Sequence, residues 1–288
     1  MGSILSFIWK NIFIDPFLNA LVLLYSLFGN NFGIAVILLA VITRLAMLPG
    51  TKKQLEMTTK MSSLKPQLDK LQEKYKNDQE RLAKEQMKLY KEVGYNPLGC
   101  LSTFLPQIFI LSAIFGVIRA ITEGRFDGLY GFVQNLVFGS AAPSLQNLNF
   151  LIWDLTKSFN SFENVGLLDD QRLPYLLLGL LVGFVQYITT VFIQKFQMGD
   201  KAKLAKKADP TEPMSQDEMQ MQMSKSMTSI FPLMTAYITL SQPAVLGLYW
   251  LAQSLMSVVQ YAIIDKKKAK EILIEMNPVK KLLKDKSE

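Results

Sequence analysis

The chain has 288 residues, 50% of them hydrophobic and 11% aromatic, with a formal net charge of +7. It contains no histidine and a single cysteine, Cys100. That composition excludes histidine metal sites, histidine general bases, Ser-His triads, an internal disulfide and a thiolate metal cluster. Several apolar runs approach the length that crosses a bilayer, about 20 residues, so the chain reads as a multi-span membrane protein.

Residues 1–30 read as an N-terminal interfacial amphipathic segment. Lys10 interrupts its first apolar run, Asp15-Pro16 breaks the pattern, and the apolar stretch 17–28 is too short to span. One span over 4–28 is the alternative, with Lys10 and Asp15 in its middle counting against it. The first span is 31–50. Residues 51–95 follow with eleven Lys/Arg against seven Asp/Glu. Their apolar residues recur at Leu64, Leu68, Leu71 and Tyr75, then at Leu82, Leu89 and Val93. This 3/4 spacing predicts two helices, with Asn77-Asp78 as turn and cap: a helical hairpin outside the membrane, its first arm bent at Pro66.

The second span is 97–118. Residues 119–172 carry four Lys/Arg against six Asp/Glu, with Trp153 and several Phe suggesting an interfacial segment. The third span is 173–194. A polar, Met-rich loop covers 195–225, the fourth span is 226–241, and Gln242-Pro243 turns the chain into the fifth, 243–264. The fourth is only 16 residues, about 24 Å of helix against about 30 Å of hydrocarbon, a mismatch that thins the bilayer locally. The tail, 265–288, has eight Lys against five acidic residues. The hairpin, the 195–225 loop and the tail fall on one side and are the basic ones. The positive-inside rule makes that side the cytoplasm and places the N-terminus outside.

Arg44 lies within the first span. A guanidinium keeps its proton, and placing it in hydrocarbon costs a few kcal/mol or more unless it finds water or a partner. Either it snorkels to the cytoplasmic interface or it lines a hydrophilic, cytoplasm-open groove. Polar or small residues recur at helical spacing on the other spans: Thr103 and Gln107; Gly179, Gly183, Gln186 and Thr190; Thr228, Pro232, Thr235 and Thr239; Tyr249, Gln253, Ser257 and Gln260. These stripes are either packing surfaces, as small and hydroxyl residues often are, or the wall of that groove, a reading the larger glutamines favour. No GxxxxGK[ST] nucleotide motif is present.

Three blocks resemble the YidC/Oxa/Alb membrane protein insertases. The first is GIAVILLAVITRLAMLPGTKKQ at 33–54, with an Arg ahead of Leu-Pro and a basic exit. The second is LYKE at 89–92 with NPLGC at 96–100, followed by Gln107. The third is 227–260, with its Pro turn, Leu-Tyr-Trp and terminal Gln. The likeness runs over about residues 17–268 and looks like a minimal bacterial version. It implies an all-α integral membrane protein: a five-transmembrane-helix bundle with a cytoplasm-open hydrophilic groove and a cytoplasmic helical hairpin. It implies insertion and folding of proteins in the bacterial plasma membrane, without enzymatic chemistry or a cofactor. The groove residues it implies are Arg44 with Thr43, Gln107, Gln186, Tyr249, Trp250 and Gln253. Departures are Ala40 where many members have Thr or Ser, Leu98-Gly99-Cys100 for Gly-Gly-Cys, and Pro106.

Expected partners are nascent membrane proteins and membrane lipids, with the Sec translocon, the ribosome and targeting machinery as further candidates, and no specific nucleic acid. The basic tail suits either a ribosome or an anionic lipid surface. Two other functions fit the residues less well: a Sec-associated assembly chaperone without autonomous insertion, and a small anion or metabolite transporter using Arg44.

Overall fold

The computed structural model describes residues 6–7, 9–76, 78–92, 94, 101–162, 165–198 and 216–276; of residues 61–63, 65, 69, 79, 101–108, 198, 216–225 and 227 it describes the backbone alone. The described chain is mostly helical. The helices are α1 (Asp15–Leu27), α2 (Phe32–Ala46), α3 (Leu48–Lys74), α4 (Gln79–Glu92), α5 (Leu101–Thr122), α6 (Gly131–Val137), α7 (Leu173–Met198), α8 (Gln216–Ser241), α9 (Ala244–Ile264) and α10 (Lys266–Glu275). Helices α7 and α9 are each long and apolar enough to cross a membrane, and α2 with the start of α3 makes a third candidate. The chain divides into two compact units.

The first unit comprises Met1–Ala46, Leu105–Tyr187 and Pro232–Ser257. Its core gathers residues spaced three and four apart: Leu18, Leu21, Val22 and Tyr25 from α1, Phe32, Ala35, Val36 and Leu39 from α2, Ile114, Val117 and Ile118 from α5. Leu178 and Val182 of α7 and residues 244–246, Tyr249 and Trp250 of α9 also belong to it. The opposite face of α7 leaves Leu177, Leu180, Leu181 and Phe184 exposed, the pattern of a helix whose solvent on that side is lipid. Glycines let α7 and α8 approach closely: a Cβ at Gly179 would sit 2.6 Å from the Leu240 side chain, and one at Gly183 2.9 Å from Ala236 Cβ.

The segment after α5 contains an element that the sequence reading does not foresee, a two-stranded antiparallel hairpin of β1 (Asn149–Phe150) and β2 (Trp153–Asp154). Phe150 packs on Gly33 at the start of α2, where any Cβ would overlap its ring. Trp153 Nε1 donates to the Pro174 carbonyl in the first turn of α7, at 2.9 Å. The first amides of α9, Ala244 and Val245, donate to the carbonyls of Lys157 and Leu155 at 2.7 and 3.1 Å. These two amides belong to the donors that a helix start leaves unsatisfied. The amino ends of α2, α7 and α9 thus all meet one short stretch of chain.

Several boundaries differ from expectation. Asp15-Pro16 does not break the N-terminal helix. A π turn, Lys10–Ile14, runs straight into α1, with the Asp15 amide bonded to the Lys10 carbonyl. The wider turn accommodates a proline that has no N–H to give. Helix α2 ends at Ala46 and α3 starts at Leu48, with Pro49 in its first turn, a position where the missing donor costs nothing. Pro66 lies inside α3, which continues as one helix to Lys74. Helix α8 begins at Gln216, ten residues before the fourth expected span, so part of the expected loop is helical. Gln, Met, Glu and Lys are good helix formers and give no membrane signal.

The second unit comprises Met47–Phe104, Ile188–Phe231 and Val258–Glu288. In it α4 folds back on α3, with Leu64, Leu68 and Tyr90 buried together and Leu89 against them. Asp78 caps α4, its carboxylate accepting from the Arg81 amide at 3.0 Å. A second cluster joins Phe192, Phe196, Tyr261, Ala269 and Ile272, and Asp265 caps α10 through the Lys268 amide.

Candidate functional site

Helices α2 and α9 face each other across a polar seam. Spacing of four on α9 puts Tyr249, Gln253 and Ser257 on one face, and all three are buried. On α2, Thr43 donates within its own helix, to Leu39 O at 2.9 Å and Ala40 O at 3.0 Å. Its oxygen still accepts from Gln253 Nε2, at 2.9 Å. The same Nε2 lies 2.8 Å from Tyr249 OH and 3.1 Å from Ala40 O. Two amide protons therefore serve three acceptors. Gln253 Oε1 points into the buried seam without a hydrogen-bond partner among the described residues. Leaving such an acceptor dry costs about 1–3 kcal/mol.

Arg44 is half-buried and reaches α9. Its Nη2 donates to Ser257 Oγ, and its Nε lies 3.4 Å from the Gln253 carbonyl. Ser257 Oγ in turn donates to that same carbonyl at 2.8 Å. The single hydroxyl proton of Ser257 is thus committed along α9, and its lone pairs face the guanidinium. Both of these acceptors are neutral oxygens of the opposite helix.

Of the seven residues expected at the site, the structure brings Thr43, Arg44, Tyr249 and Gln253 into one hydrogen-bonded group. Gln186 stands beside it, its Oε1 accepting from Ser254 Oγ of α9 at 2.7 Å. Trp250, one position on from Tyr249, is 5% exposed and belongs to the apolar core of the unit. Gln107 lies on α5, and its side chain falls outside the described residues. Ser257 and Ser254 are absent from the expected set. Ser257 had a visible signal, because it continues the four-residue spacing of Tyr249 and Gln253.

The remaining stripes behave otherwise. Thr235 and Thr239 of α8 are buried but donate to their own helix, to Pro232 O at 2.9 Å and Thr235 O at 2.8 Å. Gly179 and Gly183 are contact surfaces for α8. In the second unit, Gln260 Nε2 donates to Thr51 Oγ1 at 3.0 Å, Gln197 Nε2 to Tyr261 OH at 2.8 Å, and Thr228 Oγ1 to Gln194 Oε1 at 3.2 Å. A hollow of about 580 Å3 beside α4 is lined by charges of both signs, among them Glu80, Arg81, Glu85 and Lys88. It contains none of the seam residues.

Residues 23–271 match the family described as 60Kd inner membrane protein. The chain belongs to this family, the YidC/Oxa/Alb group. The matched stretch contains every seam residue. The chain is 33% identical over 241 residues to ALBINO3-like protein 1, chloroplastic, of Arabidopsis thaliana, covering 82% of this chain and 43% of that protein. It is 30% identical over 240 residues to the membrane protein insertase YidC of Fusobacterium nucleatum, covering 83% of this chain and 89% of the relative. A third relative, membrane protein insertase YidC 2 of Bacillus anthracis, is 29% identical over 262 residues, or 89% of this chain and 81% of the other. The chain therefore spans under half of the chloroplast relative and most of the two bacterial ones.

Proposed function

We propose that this protein is a membrane protein insertase and folding chaperone of the bacterial plasma membrane. The observation that carries the reading is the Arg44 seam, inside a chain whose family includes proteins named membrane protein insertases. Its helices form five spans, with the N-terminus outside and the hairpin, the 195–225 segment and the basic tail in the cytoplasm. The shared meeting point of the amino ends of α2, α7 and α9 supports this alternation, since the first, third and fifth spans must start on the same membrane face.

The seam is one wall of a hydrophilic groove open to the cytoplasm, and Arg44 draws the acidic, hydrophilic segment of an incoming chain toward it. Two unit charges about 4 Å apart attract by about 1 kcal/mol in water and about 4 kcal/mol at an effective dielectric constant of about 20. Attraction therefore grows as the segment leaves water. Gln186 and Gln107 replace water contacts of the passing chain, Tyr249 and Gln253 stand buried behind Arg44 and Thr43 and hold them in place, and Trp250 backs this wall from the core. The apolar part of the substrate then moves into lipid. Its transfer, about 25 cal/mol per Å2 of apolar surface, drives the reaction without nucleotide hydrolysis. The partners are nascent membrane proteins and lipids. The Sec translocon, the ribosome and targeting machinery act upstream or alongside.

The test is reconstitution of the purified protein into liposomes without Sec components, followed by addition of a single-span protein with an acidic N-terminal tail. Protease protection above empty liposomes is expected. Absence of protection, with the insertase folded and correctly oriented, would replace autonomous insertion by a chaperone role at the Sec channel. A flux of small anions under the same conditions would favour a transporter.

A further inference from the structure

The turn between β1 and β2 is made by Leu151 and Ile152, which are 80% and 68% exposed. Leu151 has φ +53°, in the left-handed region where glycine, asparagine and aspartate are favoured. Two large aliphatic side chains thus stand where turn chemistry calls for small or polar ones, and both face outward. In water this arrangement is doubly unfavourable.

The tip is not a loose excursion. Phe150 on one side of it is seated on Gly33, and Trp153 on the other is bonded to Pro174. The hairpin is therefore pinned between the first turns of α2 and α7. Leu167 and Leu168, 58% and 74% exposed, lie six and five residues before α7 starts. Both belong to the segment that leads into α7, a helix that itself exposes Leu177, Leu181 and Phe184. The tip is thus tied, through the residues on either side of it, to the amino ends of two helices that are candidate membrane spans. The occupant this fits is the acyl-headgroup boundary of the outer leaflet, where apolar side chains bury shallowly beside an indole such as that of Trp153.

We propose that the Leu151–Ile152 tip, with Leu167 and Leu168, is a membrane-inserted anchor that fixes the depth at which α2 and α7 enter the bilayer. It rests on the reading of these helices as spans. By holding the amino end of α2, the anchor sets the depth of Arg44 twelve residues further along that helix.

The proposal is tested by site-directed spin labelling in proteoliposomes. Ile152→Cys, in a Cys100→Ser background, is labelled with a nitroxide. Its collision rates with oxygen, which partitions into lipid, and with a water-soluble nickel chelate are then compared. Gln171→Cys, an exposed polar position in the same segment, reports water, and Phe184→Cys, 63% exposed on α7, reports lipid. The expected oxygen-to-nickel ratio at 152 is several-fold above that at 171 and approaches that at 184. A ratio at 152 equal to that at 171 places the tip in water and overturns the anchor. Exclusion of both reagents overturns it in favour of a protein partner or a second copy. If 184 itself is open to nickel, the span reading falls first, and the anchor with it. No outcome depends on insertion activity, so failure of the anchor is separable from failure of the insertase reading.

Discussion

The polar stripes of α8 and α9 look alike in sequence and behave differently. Thr235 and Thr239 are four apart on α8; Tyr249, Gln253 and Ser257 are four apart on α9. All five are buried. A threonine hydroxyl is short enough to reach a carbonyl one turn back in its own helix, and both threonines do so. Their polarity is spent locally, and what they present to neighbours is a methyl group. The glutamine is longer and reaches Thr43 and the Ala40 carbonyl of α2. Ser257 is short like the threonines and also bonds back, but Arg44 extends to it from α2. A buried polar stripe therefore becomes a site where a long side chain bridges the gap, from either helix.

Breaking each stripe separates these roles. The largest stability loss is expected where α7 packs on α8. Gly183→Val pushes methyl groups into Ala236, already 2.9 Å from a Cβ, and toward the Pro232 carbonyl. Forcing bulk into such a contact costs about 2–3 kcal/mol, read as an earlier midpoint in reversible unfolding from mixed micelles. Insertion per folded molecule should stay near the wild-type value. Gln253→Leu removes three interactions centred on Nε2. At roughly 0.6 kcal/mol for an average polar contact between membrane helices, the expected loss is about 2 kcal/mol by the same measurement. Here insertion per folded molecule should fall as well. An unchanged rate with lowered stability would make Gln253 a packing residue like the threonines. Thr239→Val keeps the shape and removes only a hydroxyl bonded to its own helix, so a change under about 0.5 kcal/mol is expected. A loss as large as that of Gln253→Leu would erase the distinction between the stripes.

How much the sequence revealed follows from how strongly each signal was set. Helix α9 is found within a residue of its expected bounds, because a continuous apolar run between a Pro turn and a charged tail has one reading. Leu64 and Leu68 of the hairpin core follow from spacing and the turn from Asp78 as a cap, whereas Tyr90 lies one position past the Leu89 that spacing selects. Arg44 and Gln253 were legible as candidates through their polarity in apolar surroundings, and the structure places them in one polar seam. Their pairing through Ser257 was not, since nothing in a sequence fixes how two helices are rotated against each other. The β1–β2 hairpin was invisible: two-residue strands carry no period, and Leu-Ile contradicts the residue choice of tight turns. Tyr249 and Trp250 resemble a pair, yet neighbours on a helix point about 100° apart. Both lie in the apolar core, but only Tyr249 also meets Gln253, through its hydroxyl.

The central claim is that the Arg44 charge, and not merely its bulk or its hydrogen bonds, recruits acidic segments. The most direct measurement compares Arg44→Ala and Arg44→Lys with the wild type in Sec-free liposomes, using two substrates that differ only in carrying acidic or neutral residues in the N-terminal tail. The account predicts at least about a tenfold loss for the acidic substrate with alanine, corresponding to about 1.4 kcal/mol, substantial recovery with lysine, and little change for the neutral substrate. Equal losses for both substrates, or no recovery with lysine, would contradict it.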